Sequence, residues 1–384
     1  MDELTPFKYG KTINLESFTN RDEEQKKIKQ NLLSGINTML ISPRRWGKST
    51  LVEKIVSEID KENKNVRTVM IDIFVASDEA EFLQLFAREV IKKSSNKWED
   101  WINTGKEFFK SIVPKISLGI DPINDFEIAF DWEELKKNKD EILDLPERIA
   151  KAKNIEYVIC IDEFQQISEL AAYKFLEKKM RSVWQKQKRV TYCLYGSKRH
   201  MMAEIFNKVS KPFYRFGDII LLQKIKTENW EIFIQNNFKK TKKSITKREA
   251  LFIIQTMKNH SWYVQQYSSY VWNKTKTNVN KEIINNALEE LVAANSPLFL
   301  REIEILSTTQ VNFLKAVAQG ESKLTSTAMM QKYHLGTPRN VSKNKEILTY
   351  NDMLNFENGL YEFLDPVFEL WFKKLFFKKD FLLK

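Results

Sequence analysis

Up to about residue 225, short apolar runs alternate with amphipathic stretches. Thr38–Ile41 reads as a strand, and Leu51, Val52, Ile55, Val56 and Ile59 follow at helical spacing. Val66–Phe74 reads as a second strand, and 79–93 as a helix with Phe82, Leu85, Phe86, Val90 and Ile91 on one face. Helix 143–152 leads into Tyr157–Ile161, a continuous apolar run of the kind a strand shows when both its faces are buried. Helix 171–187, strand Val190–Tyr195 and strand Ile219–Leu222 complete the series. Strands alternating with helices predict a parallel sheet covered on both faces. The stretch 94–139 is irregular and aromatic, and its alternation predicts a hairpin-like insertion near 112–132.

Beyond residue 226 the period becomes helical. Helices are expected near 227–238, 246–257, 261–274 and 280–293, with Pro297 breaking the run. Further helices are expected at 307–318, 325–333 and 338–353, followed by two short strands joined at Asn358-Gly359, a turn-forming pair. Three helices and a hairpin are the layout of a winged helix. The expected division is a core over 1–225, a helical lid over 226–300 and a winged helix over 301–384. Near the start, Phe18–Glu23 opens a helix that runs to Leu33, with Asn20 as its N-cap.

Composition narrows the class. A chain of 384 residues with 42% hydrophobic and 12% aromatic residues has the material for two or three packed domains. The first ten residues are polar and read as no secretory signal, and no run is long enough to span a bilayer, so a cytoplasmic protein with no membrane partner is expected. Cys160 and Cys193 both fall in predicted buried strands and read as core residues of a reducing compartment. Three scattered histidines suggest no zinc site. The net charge of +11 admits nucleic acid or another acidic partner, but lysine excess alone does not select one.

The chemistry is carried by two segments. In the first, strand end Ile41 runs into Ser42-Pro43-Arg44-Arg45-Trp46-Gly47-Lys48-Ser49-Thr50 and then directly into a helix. Backbone N–H groups at such a helix start, with its positive dipole end, cradle phosphate. Lys48 is placed to reach the β- and γ-phosphates and Ser49 to hold Mg²⁺. Ser42 stands where the usual pattern has its first glycine. In the second, the strand ending at Ile161 delivers Asp162, a metal-binding carboxylate, and Glu163, a general base for the attacking water.

With these motifs and this order of elements, the chain resembles the prokaryotic archaeal-type AAA+/STAND P-loop ATPases, in the form common among Bacteroidetes, over roughly Phe18 to Phe372. The resemblance rests on Phe18–Glu23, on the Pro-Arg-Arg-x-Gly-Lys-Ser form of the loop at 43–49, on Asp162-Glu163, and on Tyr361–Pro366 with Trp371-Phe372 at the close. It implies that Arg21 lies near the adenine. It implies that Ser197, after the fourth strand, senses the γ-phosphate or positions water. An arginine near Arg215, in Pro212–Phe216, is implied to stabilise charge in cis or on a neighbouring subunit. His260-Ser261 replaces the family's His-Pro pair in the lid, which brings His260 toward the phosphates.

The expected protein is therefore an α/β P-loop ATPase that takes ATP or ADP with Mg²⁺ between core and lid and transmits the nucleotide state to a C-terminal winged helix. Arg44 and Arg45 read either as contacts to nucleotide or to a neighbouring domain, or as solvated loop charges, and Trp46 as a ring packed over the base or the lid. The third helix of the winged unit carries Arg339, Lys343 and Lys345 as candidate contacts to double-stranded DNA. The other reading is a slow nucleotide switch acting on a protein partner. A homo-oligomer fits either.

Overall fold

The computed structural model describes residues 4–10, 21–94, 116–119, 127–130, 139–171, 173–357 and 359–383. It divides into two compact units. The first holds Arg21–Arg44 and Lys48–Gln223 and is built on a five-stranded parallel sheet. Its strands are β1 (Thr38–Ile41), β2 (Val66–Asp72), β5 (Glu156–Asp162), β6 (Val190–Gly196) and β7 (Asp218–Leu221). They lie in the order β2-β5-β6-β1-β7. A hairpin of β3 (Ile116–Gly119) and β4 (Glu127–Phe130) pairs antiparallel apart from that sheet. Every β6 residue is buried, as are Tyr157–Ile161 of β5, because helices cover both faces. The helices of this unit are α1 (Asp22–Leu33), α2 (Lys48–Glu62), α3 (Glu79–Lys93), α4 (Lys139–Leu143), α5 (Leu145–Lys153), α6 (Tyr173–Trp184) and α7 (Arg199–Asn207).

Local chemistry moved several expected boundaries. Arg21 is the N-cap residue of α1, and the expected cap Asn20, with Phe18 and Thr19, lies outside the described residues. The second strand stops at Asp72, whose carboxylate accepts from the Phe74 N–H at 3.0 Å and starts a 3-10 turn over Ile73–Val75. The helix expected over 143–152 is α5 and starts two residues later, because Pro146, which has no N–H to give, fits in a first turn and not in an interior; the short α4 precedes it.

The second unit holds Lys224–Lys384, Arg45–Gly47 and the N-terminal segment that includes Phe7. Its helices are α8 (Thr227–Lys240), α9 (Lys247–Thr256), α10 (Ser261–Lys274), α11 (Lys281–Glu304), α12 (Thr308–Ala318), α13 (Thr327–Lys332) and α14 (Pro338–Tyr350). The hairpin β8 (Leu354–Glu357) with β9 (Leu360–Phe363) and the closing α15 (Pro366–Phe377) follow. One correction is large: Pro297 does not end a helix but lies inside α11. The proline removes one backbone bond. Leu291 and Phe299 on either side are buried in the same core, and Trp371 Nε1 donates to Ser296 Oγ at 2.9 Å, so tertiary packing holds the helix through it. A single apolar cluster, from Trp230 through Leu291 and Phe313 to Phe372, therefore runs through the whole unit. Among the described residues no helix is long and apolar enough to cross a membrane.

Candidate functional site

In a parallel sheet the carboxyl ends of the strands open on one side, and ligands bind there. Four of these ends bring chemistry together in the sheet unit. After β1 comes Ser42, fully buried, whose hydroxyl donates to the Pro43 carbonyl at 3.0 Å. Its φ is not positive; the left-handed positions of the loop are Arg45 (φ 65°) and Gly47 (φ 87°). The glycine that this turn needs is the second one, and it is present. Lys48 then opens α2 with its side chain 6% exposed.

After β5 comes the acidic pair. Lys48 Nζ donates to Asp162 Oδ1 at 2.9 Å and to Glu163 Oε1 at 3.4 Å. Ser49 Oγ donates to Asp162 Oδ2 at 2.8 Å, and the Glu163 N–H to Asp162 Oδ1 at 2.7 Å. Glu163 is itself left-handed (φ 50°), and that conformation turns the chain out of the strand into a 3-10 turn over Phe164–Glu169. After β6 comes Ser197, whose Oγ donates to Glu163 Oε2 at 2.9 Å. The five predicted residues Lys48, Ser49, Asp162, Glu163 and Ser197 thus form one hydrogen-bonded cluster. Burial by itself pushes the Glu163 carboxyl up. The Lys48 charge and the bonds from Gln165, Ser197 and Lys48 outweigh it and hold the group below the ordinary glutamate range.

Sequence reasoning missed three acids and amides here. Asp72 sits in register with Asp162 across β2–β5; burial, then the Asp162 and Glu163 charges, push its carboxyl up against the Phe74 N–H that lowers it. Glu53, on α2, is pushed up by burial and by Asp162. Gln165, fully buried, donates from Nε2 to Glu163 Oε2. The one signal available was its place two residues after Glu163, which has meaning only once the turn is known.

The second unit carries its own cluster. Arg45 lies over the Trp262 ring at 4.8 Å and donates to the Tyr263 hydroxyl at 3.4 Å. That hydroxyl donates to Asp365, which caps α15 by accepting from the Val367 and Phe368 N–H groups, each at 2.9 Å. Trp46 is buried, with the Lys224 ammonium 5.6 Å from its ring centre and its carbonyl accepting from Ser261 Oγ at 3.4 Å. Here Trp46 packs with the helical unit. His260 is 6% exposed; burial first, then the Lys224 and Arg45 charges, push its pKa down to about 3. Its Nδ1 has no hydrogen-bond partner among the described residues.

The remaining candidates fall elsewhere. Pro43 and Thr50 are buried in the loop and the first turn of α2, and Arg44 is exposed. Arg21 is buried and donates to the Gln223 carbonyl at 2.8 Å and to Glu24 at 3.3 Å, so this structure spends its guanidinium on the sheet unit's own chain. Arg215 is exposed, left-handed (φ 52°), and lies over the Tyr214 ring at 5.2 Å. Arg339 and Lys343, one turn apart on α14, are both exposed. Lys345 is half-buried and turns to the Tyr361 ring of the hairpin at 5.6 Å, so it does not share their face.

Comparison with known proteins agrees with this architecture. Residues 298–374 match the family model described as "Probable winged helix domain". Among solved structures, the Walker-type ATPase PABY2304 of Pyrococcus abyssi superposes with a TM-score of 0.67 at 16% identity, over 96% of this chain and 100% of that one. The Aeropyrum pernix ORC2 protein, in its ADPNP–ADP complexes, does so with a TM-score of 0.60 at 15% identity, over 94% of each chain. No curated protein matches in sequence. The fold is α/β, with the five-stranded parallel sheet typical of P-loop NTPases, a helical region and a C-terminal winged helix.

Proposed function

We infer that the chain binds ATP with Mg²⁺ at the Lys48 loop, hydrolyses it, and passes the nucleotide state to the winged helix. The observation that carries this reading is the convergence of an ammonium, a hydroxyl and two carboxylates at the ends of β1 and β5, with contacts of 2.8–3.4 Å. The complexes of the ORC2 neighbour with ADPNP and ADP support nucleotide as the ligand. The finer assignment to the archaeal-type AAA+/STAND group rests on the Pro43-Arg44-Arg45-Trp46-Gly47-Lys48 sequence.

The residues suit magnesium. Ser49 and Asp162 offer a hydroxyl and a carboxylate side by side, and no group of three or more His, Cys, Asp or Glu among the described residues forms a closed metal cage. Mg²⁺ is usually held by one or two carboxylates with phosphate oxygens completing the shell, and would there offset charge on the β- and γ-phosphates. Lys48, now shared between two carboxylates, turns to the phosphates. Glu163 then accepts a proton from the attacking water, and Ser197 fixes its carboxylate. Arg215, exposed as it is, is available to the nucleotide of a second copy, which is how an oligomer enters. Arg339 and Lys343 give α14 a basic, solvent-facing first half, and no carboxylate among the described residues pairs with either. Duplex DNA is the partner such a helix fits.

The test is ATP binding and turnover by wild type, Lys48→Ala and Glu163→Gln, with and without duplex DNA. Binding lost in Lys48→Ala, turnover lost in both variants, and stimulation by DNA are expected. Binding without turnover in any condition moves the reading to a nucleotide switch with a protein partner. Absence of Lys48-dependent binding removes it altogether.

A further inference from the structure

Among the described residues, Gln165 is the one fully buried amide in contact with the proposed base. The two oxygens of Glu163 are divided between donors. Oε1 takes only the Lys48 ammonium, at 3.4 Å, whereas Oε2 takes Ser197 Oγ at 2.9 Å and Gln165 Nε2. The rest of the Gln165 amide does no such work. Its Oε1 is buried without a hydrogen-bond partner. A leucine would fill this volume with no stranded carbonyl, so what the glutamine adds is its N–H. The backbone makes room for it. A Cβ on Gly196 would lie 1.9 Å from Gln165 Oε1, and only a residue without a side chain lets the amide reach the carboxylate.

We propose that Gln165 is a positioning residue for ATP hydrolysis, pinning Oε2 of Glu163 so that Oε1 becomes the oxygen that meets the attacking water once phosphate draws Lys48 away. The inference rests on the ATPase reading above. With both donors on one oxygen, departure of Lys48 frees the other without freeing the side chain. The base is then aimed at the moment it is uncovered.

The experiment measures kcat and KM for Mg-ATP, nucleotide affinity and thermal stability in wild type, Gln165→Leu, Gly196→Ala and their combination. Expected for Gln165→Leu is a kcat lower by about 10- to 100-fold, a fraction of the full general-base effect, with ADP affinity within twofold and Tm not lowered. Gly196→Ala should reproduce the loss by displacing the amide, and combining it with Gln165→Leu should add little. A Gln165→Leu enzyme with kcat unchanged overturns the proposal while leaving the ATPase reading standing, and so does a loss confined to nucleotide affinity. A wild type with no Lys48-dependent turnover overturns both.

Discussion

Arg45 and Lys48 are three residues apart, yet they belong to different compact units and have opposite surroundings. Lys48 is paired with two carboxylates, and its charge keeps Glu163 below the ordinary glutamate range despite burial. Arg45 lies on an aromatic ring and a phenol, and the acids it influences, Asp365 and Glu302, are pushed up by burial. His260 beside it is pushed down toward the neutral form. Burial is common to both acids, and both accept hydrogen bonds; what differs is the ammonium in contact with Glu163. That charge and its neighbouring donors keep Glu163 ionised, as a base must be. At Asp365 burial prevails, and the carboxylate serves capping and packing. The same kind of buried carboxylate therefore reads as chemistry in one place and as architecture in the other.

The largest test of this contrast is a pair of acid substitutions. Glu163→Gln should lower kcat by about 10²–10⁴-fold, the usual worth of a positioned base, while ADP binding and thermal stability stay close to wild type. Asp365→Ala should do the reverse. It removes the cap of α15 and strands the Tyr263 hydroxyl, which together cost about 2–4 kcal/mol of unfolding free energy. Urea titration of both variants decides the matter. A destabilised Glu163→Gln with unchanged turnover would invert the assignment.

A smaller effect separates the regions by pH. His260 has its pKa lowered from 6.5 to about 3, so the unfolded chain binds the proton first. The stability that its neutral form confers is complete above 6.5 and is lost as pH falls toward the folded value. The slope approaches about 1.4 kcal/mol per pH unit. Denaturant midpoints between pH 6.5 and 5 should show this slope in wild type and a flatter line in His260→Leu. Equal slopes would mean that the imidazole is protonated in the folded state.

Much of the fold could be read from the chain because its signals are local. The apolar run before Asp162 and the Gly47-Lys48-Ser49 turn into an amphipathic helix each need only a dozen neighbouring residues. The parts that escaped are those that depend on partners far away in sequence. Asp72 gains meaning from its register with Asp162, and Gln165 from the space left by Gly196. Pro297 looks like a helix end until the core that holds α11 together is known. Arg45 looks like a solvated loop charge until Trp262 and Tyr263 are placed under it.

Arg45 supplies the smallest and most discriminating test. Lysine keeps the positive charge but loses the planar guanidinium that stacks on Trp262 while donating sideways to Tyr263. If Arg45 acts within the helical unit through this geometry, Arg45→Lys should cost about 0.5–1 kcal/mol of stability, the worth of a partly exposed cation–π contact. The same loss should be absent when the substitution is made on a Trp262→Leu background, because the ring that it depends on is gone. If Arg45 matters only as a charge beside phosphate, Arg45→Lys will move neither stability nor nucleotide affinity on either background. Additivity in the cycle thus tells packing from charge, which is the distinction that separates the two regions.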